Sequence, residues 1–348
     1  MGIIIMKNRV EALSDLLTFD AMKVASCFDF QELTNKHIII TGASGLVGIN
    51  FLASLLQIAK KVNGMKIFPI IHSDPSEFLL PLLNSKTVQV FKGNLTDSEF
   101  IKTLPDADII IHAAGSGEPS KFMTDTLASL KINTLTTFML FEKLNSNGKF
   151  LFISSSDIYN GLESAKYSEN QIGTTNTDHP RACYIEGKRT GETICTLYRQ
   201  QGVNASSVRL SLTYGPGTRP NDKRVLPSFI QKAIKGKIEL LDEGEATRTF
   251  CYISDAIEMM WHIILHGTHS CYNVGGVSAI KINELAYLIG QLLNVPVVIP
   301  NVKKSIAGAP SSVFLNLDRI MSEYKKESYI ELQEGLEKTI VWHKNLIE

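Results

Sequence analysis

The chain carries no excess charge of either sign: 35 Lys+Arg balance 35 Asp+Glu across 348 residues. Nucleic-acid binders usually show a basic excess or stripe, so nucleic acid is not expected as a partner. Cysteine is scarce. Cys27, Cys183, Cys195, Cys251 and Cys271 form no C-x-x-C pair and no Cys/His cluster at zinc spacing. An odd set of scattered thiols reads as reduced cysteines of a cytoplasmic protein, with no disulfide framework and no metal site. No run approaches the ~18 apolar residues that a membrane span needs, so no membrane partner is expected. The apolar start Gly2–Met6 is short for a signal-peptide core, and Lys7 and Arg9 follow it instead of preceding it. Repeats and low-complexity tracts are also missing. What is present, 44% apolar and 20% charged residues, suits a globular protein with a sizeable core. The length allows one large domain or two intimate ones.

Val10, Leu13, Leu16 and Leu17 fall at helical spacing, which predicts an amphipathic helix within residues 1–36. Its expected place is against the main body; covering a site or a partner subunit is the alternative. From His37 onward, short apolar, largely β-branched runs predict strands at His37–Thr41, Lys66–Ile71, Val88–Phe91, Asp108–His112, Lys149–Ser154 and Ser206–Ser211. Helical patterns at Leu46–Val62, Phe122–Asn145 and Tyr184–Gln201 separate several of them, and two further helices are expected at Lys281–Leu293 and Ile330–Leu346. Strands buried on both faces and alternating with helices imply an α/β fold with a doubly wound parallel sheet.

The first strand runs into Thr41-Gly42-Ala43-Ser44-Gly45-Leu46-Val47-Gly48 and then into a helix. Glycines there make the tight turn and let backbone approach a pyrophosphate, with the helix N-terminus facing the phosphates. A dinucleotide cofactor is expected. An acid ending the second strand would bind the ribose of NAD, whereas a nearby Arg would suit the NADP phosphate. The chain offers His72-Ser73-Asp74, where Asp74 either reaches the ribose or caps the next helix. With no Arg or Lys adjacent in sequence, NAD is expected ahead of NADP.

Tyr184 and Lys188 stand one helical turn apart on one face. A neighbouring ammonium is expected to lower the tyrosine pKa from its usual value near 10, readying it to take a proton from a hydroxyl. Ser154-Ser155-Ser156 ends the fifth strand, the edge at which such sheets place ligands.

TGASGLVG, IIHAAG (Ile110–Gly115), ISSSDIY (Ile153–Tyr159), YIEGK, TYGPG (Thr213–Gly217), RTFCYISD (Arg248–Asp255) and YNVGG (Tyr272–Gly276) follow one another in this order. In this the chain resembles the extended short-chain dehydrogenase/reductases: nucleotide-sugar epimerases, dehydratases and decarboxylases. The likeness spans about 37–345, closing on a last helix at Leu332–Lys344. It implies that Gly42, Ser44, Gly45, Leu46, Val47 and Gly48 hold the cofactor pyrophosphate. Asn94, Leu95, His112, Ala113 and Ala114 would line the cofactor, with Asn133 near the active site. Tyr184 would be the base, Lys188 its activator and ribose ligand, and Ser155 the hydroxyl partner. Ser156, Arg219 and Arg248 would meet the substrate, a nucleotide sugar, in a homodimeric enzyme.

The stretch Pro180–Arg189 looks most like UDP-glucuronate decarboxylases, and Asp157 stands where those enzymes and the dehydratases carry Glu. Leu212 and Gly217 depart from the decarboxylase pattern. The resemblance therefore implies oxidation at the sugar C4 and then decarboxylation or dehydration through a 4-keto intermediate. Epimerisation and net ketosugar reduction or dehydrogenation stay open. A non-catalytic NAD(P) sensor would not need Ser155, Tyr184 and Lys188 together. The fold implied is a Rossmann domain of 37–211 plus about 250–274. A smaller C-terminal α/β substrate domain would comprise 212–249 and 275–348.

Overall fold

The computed structural model describes residues 2–115, 117–163, 166–302 and 312–347. The apolar runs become neighbours in one sheet: β1 (His37–Thr41), β2 (Lys66–Ile71), β3 (Phe91–Lys92), β4 (Ala107–His112), β5 (Leu144–Ser155) and β6 (Asn204–Leu210). Three strands, β7 (Leu212–Tyr214), β8 (Ile238–Glu239) and β9 (Thr247–Tyr252), then leave it before β10 (Cys271–Val274) returns to its edge. The order is β10-β6-β5-β4-β1-β2-β3, every pair parallel. Ile38, Ile39 and Ile40 are all fully buried, and alternate side chains enter separate hydrophobic clusters, Ile38 and Ile40 in one and Ile39 in the other. That is the signature of a strand covered on both faces.

On these faces lie α1 (Gly2–Val24), α2 (Leu46–Ile58) and two short helices between strands, α3 (Leu80–Leu83) and α4 (Ser98–Lys102). The helix expected over Phe122–Asn145 is broken into α5 (Pro119–Phe122), α6 (Thr126–Asn133) and α7 (Leu135–Phe141). Asp125 caps α6 by accepting from the Ala128 N–H at 3.1 Å, and Thr134 leaves helical geometry at φ −118° and ψ −82°. Its last residues belong to β5 instead, because Leu144 pairs with Ala107 across the parallel ladder. The third strand also shifts: β3 begins only at Phe91, and Val88 makes a single bridge to Ile67.

The second half adds α8 (Ala182–Gln200), α9 (Val225–Ile234) and α10 (Ile253–His266). It ends with β11 (Ser278–Lys281), α11 (Ile282–Leu293), β12 (Val297–Val298), β13 (Ser312–Val313), α12 (Asp318–Glu323) and α13 (Leu332–Ile347). Strands β7, β11 and β13 gather on β9 in a second sheet. Among the described residues no helix is long and apolar enough to cross a membrane, and all five cysteines are free.

The N-terminal helix packs on α2, α10 and α13. Leu13, Leu17, Ala21 and Val24 are buried along one face, and the Tyr252 hydroxyl donates to Asp20 at 2.6 Å. The helix is therefore part of the main core and not a cover for the site. Leu17→Ala should destabilise the fold by about 2–5 kcal/mol, the usual cost of a cavity at a closed position. Denaturant melts should show this loss, while the affinity for NADH stays as in the parent chain.

Candidate active site

In the large sheet the chain moves outward from β1 through β2 and β3, then crosses to β4 on the other side of β1. Ligands bind at such a switch point, beyond the carboxyl ends of the strands. A cleft of about 1000 Å³ opens there. Gly42 takes φ +66°, and a Cβ on it would lie 2.7 Å from the Ala113 carbonyl oxygen. A Cβ on Gly48 would lie 2.3 Å from the Gly42 oxygen. Only glycine lets strand, turn and helix close up, leaving a cradle of backbone before the N-terminus of α2. The residues present thus fit a dinucleotide pyrophosphate.

Most of the expected site residues line this cleft: Gly42, Ser44, Gly45, Leu46, Val47, Gly48, Asn94, Leu95, Ala113, Ala114, Ser155, Ser156, Asp157, Tyr184, Lys188, Arg219 and Arg248. His112 and Asn133, two expected cofactor neighbours, are not in its wall. The Thr41 hydroxyl meets His112 Nδ1 at 2.7 Å and accepts from the Ala114 N–H at 3.0 Å. His112 Nε2 faces the Ile132 carbonyl oxygen at 2.9 Å. A carbonyl only accepts, so Nε2 carries the proton and Nδ1 accepts from Thr41. Burial pushes the imidazole pKa down to about 3, and the ring stays neutral as a clamp between β1, β4 and α6. Asn133 sits where α6 meets α8: a Cβ on Gly191 would lie 2.9 Å from its carbonyl oxygen. Its amide donates to the Ser129 carbonyl at 2.7 Å, and Oδ1 has no hydrogen-bond partner among the described residues.

Tyr184 is buried and stacks on Phe122, ring centroids 4.5 Å apart. Lys188 is buried as well, its Nζ donating to the Ile153 carbonyl at 2.6 Å and lying 5.7 Å from the Tyr184 ring centroid. The expected lowering of the tyrosine pKa is not found. Burial, and then the Asp157 charge, push it up to about 12, against an opposing hydrogen bond from Ser155. Burial also drives Lys188 down to about 7, partly countered by Glu192, so near neutral pH the amine carries only part of the charge that was to stabilise tyrosinate.

Ser155 Oγ accepts from the Asp157 N–H at 3.1 Å, starting a 3-10 turn over Ser156–Tyr159. That turn aims Asp157 at the cleft, where Arg181 grips its carboxylate and Arg248 adds a second positive charge. Burial nevertheless raises the Asp157 pKa above the ordinary carboxylate value.

Arg219 lines the cleft over the glycine turn, where its Nη2 donates to Ser44 Oγ at 3.1 Å. At the end of β2, His72 lines the cleft, whereas Asp74 is outside its wall and pairs with Lys92 at 2.5 Å. Asp74 therefore neither reaches the cleft nor caps a helix. A lysine is close by after all, brought in by the pairing of β2 with β3.

Sequence reasoning missed Arg181 and Phe122, which line the cleft, and Lys92, which stands outside its wall beside Asp74. Arg181 has a local signal, since three residues before Tyr184 at a helix start puts it on the same side. Phe122 and Lys92 have none, because each depends on a contact distant in sequence.

A parallel sheet with a glycine turn at its switch point, and Ser, Tyr and Lys facing one cleft, defines a Rossmann-type dinucleotide enzyme of the extended short-chain dehydrogenase/reductase class. Residues 38–275 match the NAD dependent epimerase/dehydratase family, and the chain belongs to that family. It is 28% identical to UDP-glucuronic acid decarboxylase 1 of Xenopus tropicalis, over 91% of this chain and 74% of that one. It is 27% identical to dTDP-4-dehydro-6-deoxy-D-allose reductase of Streptomyces bikiniensis, over 89% of this chain and 97% of that one. The crystal structure of a UDP-glucuronic acid 4-epimerase from Bacillus cereus, solved with UDP-glucuronic acid and NAD, matches in fold. The TM-score is 0.74 at 22% identity, covering 89% of this chain and 99% of that one.

The Lys188 pKa, lowered from 10.5 to about 7, links stability to pH. Between those values the unfolded chain holds a proton that the native chain lacks, so stability rises with pH across this window. Below about 7 the buried charge exerts its full destabilising effect. Lys188→Met should remove this dependence, and its stability advantage over the parent should shrink by a few kcal/mol between about pH 7 and pH 10. Paired denaturation curves check this; parallel pH dependences in the two proteins would refute it.

Proposed function

We propose that this enzyme decarboxylates a nucleotide-linked hexuronic acid, of the UDP-glucuronate kind, through a 4-keto intermediate with NAD as cofactor. One observation carries the reading: Arg181 and Arg248 face the single carboxylate of Asp157 beside Ser155 and Tyr184. Two guanidiniums against one carboxylate leave net positive charge where an acidic sugar substituent would lie. Arg181 Nε, buried and without a partner among the described residues, is a donor still to be used. The similarity to a UDP-glucuronic acid decarboxylase supports the same substrate class.

The glycine turn, Ala113, Ala114, Asn94 and Leu95 would hold the cofactor, which when bound accepts a hydride from C4 and later returns it. Tyr184 accepts the C4 hydroxyl proton as its own phenolic proton passes on toward the Lys188 amine, and Ser155 donates a hydrogen bond to the same oxygen. Lys188 sits below Tyr184, with a pKa that lets it pass a proton near neutral pH. Once C4 is a ketone, the C5 carboxylate belongs to a β-keto acid. It leaves as carbon dioxide, and the electron pair moves onto the C4 oxygen held by Tyr184 and Ser155. Asp157 then governs the proton that C5 receives. In this reading 37–211 and 250–274 carry the cofactor, while 212–249 and 275–348 close over the sugar nucleotide.

We also infer a homodimer. Leu127, Leu130, Leu135 and Phe138 on α6 and α7 are exposed beside Leu197 of α8, an apolar face that a second copy would cover. Free thiols support a cytoplasmic location.

Incubation with UDP-glucuronate and NAD should release carbon dioxide and leave a nucleotide pentose, read by mass spectrometry and NMR. Arg248→Met should lower kcat/KM about 100-fold or more, the scale for losing a buried charged partner. A C4 epimer with no carbon dioxide would transfer the reading to an epimerase, and turnover of neutral UDP-glucose alone would overturn the acid-substrate assignment.

Phe138→Glu combined with Leu127→Glu should convert the dimer to monomer in sedimentation velocity. A parent chain that sediments as a monomer at micromolar concentration would remove the dimer.

A further inference from the structure

The row of side chains that carries Tyr184 and Lys188 continues for one more helical turn, to Glu192. We propose that Glu192 is a positioning residue for this couple: it seats α8 on β5 and supplies the negative charge that makes the buried Lys188 amine basic enough to take a proton from Tyr184. This rests on the proton path proposed above.

Tyr184, Lys188 and Glu192 follow at four-residue intervals along α8, and all three are buried. Side chains so spaced lie in one row. That row meets three consecutive residues of β5. Tyr184 shares a hydrogen bond with Ser155, and Lys188 Nζ donates to the Ile153 carbonyl at 2.6 Å. Between them in sequence, Ser154 Oγ donates to Glu192 Oε1 at 2.5 Å. Arg209 of β6 grips the same carboxylate from its far side, with Nε 3.1 Å from Oε1 and Nη2 2.8 Å from Oε2. Glu192 stands outside the cleft wall, so it acts on the chemistry only through these neighbours.

The groups around Lys188 leave Glu192 a distinct role. Phe152 and Tyr184 present their rings to Nζ, with centroids 4.9 and 5.7 Å away. His112 on β4 is kept neutral by burial. Asp157 acts on Tyr184, and Arg209 is taken up by Glu192, the Tyr159 hydroxyl and the carbonyls of Glu169 and Gln171. Among the described residues Glu192 is therefore the one acidic charge that acts on Lys188. Burial by itself strips an amine of proton affinity, and a nearby carboxylate restores part of it. The restored part matters here, because proton transfer from a phenol depends on the strength of the base that receives it.

The test reads the Lys188 amine directly, without substrate. Full-length, cofactor-free protein carrying labelled lysine is titrated by NMR, and the Lys188 signal is assigned by its loss in Lys188→Met. Glu192→Gln should lower the titration midpoint of the amine by about half a pH unit or more. Glu192→Asp, which keeps the charge, should stay closer to the parent. Because Glu192→Gln leaves Arg209 buried without its carboxylate, the same change is also made together with Arg209→Met. Exchanging both members of a buried pair is tolerated far better than removing one. The double variant should show the lowered midpoint too, and circular dichroism verifies its fold. In turnover of the substrate assigned above, the ascending limb of kcat/KM against pH should move down by the same amount, to a lower plateau. A purely structural role would lower the plateau and leave the limb in place. A midpoint within about 0.2 pH units of the parent in the double variant would overturn the proposal, since any shift in Glu192→Gln would then come from the unpaired Arg209. A lowered midpoint with an unmoved limb would instead overturn the proton path through Lys188, and with it the catalytic part of the proposal.

Discussion

The close approach of the β1 turn to the end of β4 is the constraint on which the rest of the molecule depends. Gly42 is pressed against the Ala113 carbonyl so tightly that no side chain fits. Thr41 and His112 secure this junction: a hydroxyl holds the Ala114 N–H, and a neutral imidazole holds the hydroxyl and the Ile132 carbonyl. The Thr41 hydroxyl and both His112 ring nitrogens are paired, which keeps this junction inexpensive to bury. The cleft exists because two strands diverge beyond this pinned point, with the N-terminus of α2 opening into the gap.

A second buried network fixes the opposite wall. Glu192 receives Arg209 through Nε and Nη2, at 3.1 and 2.8 Å, and Ser154 donates to it at 2.5 Å. Arg209 also donates to the Tyr159 hydroxyl at 2.8 Å, which in turn donates to Asn273 at 2.8 Å. The network joins β5, α8, β6 and β10, so Ser155 and Lys188 are carried by elements that cannot shift independently. Its charges are satisfied internally, and such a network favours one arrangement over near alternatives. The catalytic group is thereby positioned by a network of which Ser154 alone lines the cleft, while Glu192, Arg209, Tyr159 and Asn273 stand outside its wall.

The resting electrostatics follow from this burial. Tyr184, Lys188 and Asp157 are each moved toward their neutral forms. Desolvation acts on all three in the same sense, disfavouring charge whatever its sign. Arg181 and Arg248 bring two guanidiniums to the same wall, both beside the Asp157 carboxylate.

The local signals proved durable. Apolar runs marked β1, β2, β4 and the second half of β5, since a strand covered on both faces is mostly apolar, whereas β6 buries Ser206, Ser207 and Arg209 among polar partners. The glycine turn and the Tyr184–Lys188 spacing were equally legible, because each is complete within a few neighbouring residues. Only the tertiary structure decided what depended on distant partners. It broke the helix after Phe122 at Asp125 and Thr134, and gave its last residues to β5, where Leu144 pairs with Ala107. It withdrew His112 and Asn133 from the cleft to serve as packing and hydrogen-bonding supports. It reversed the expected Tyr184 shift, because water exclusion and the Asp157 charge outweighed the hydrogen bond from Ser155 and the nearby guanidiniums. It also brought Lys92 beside Asp74, a pairing set by strand register and not by sequence distance. Patterns of a few residues encode elements and turns by themselves; charge states and partners depend on what the whole chain folds around them.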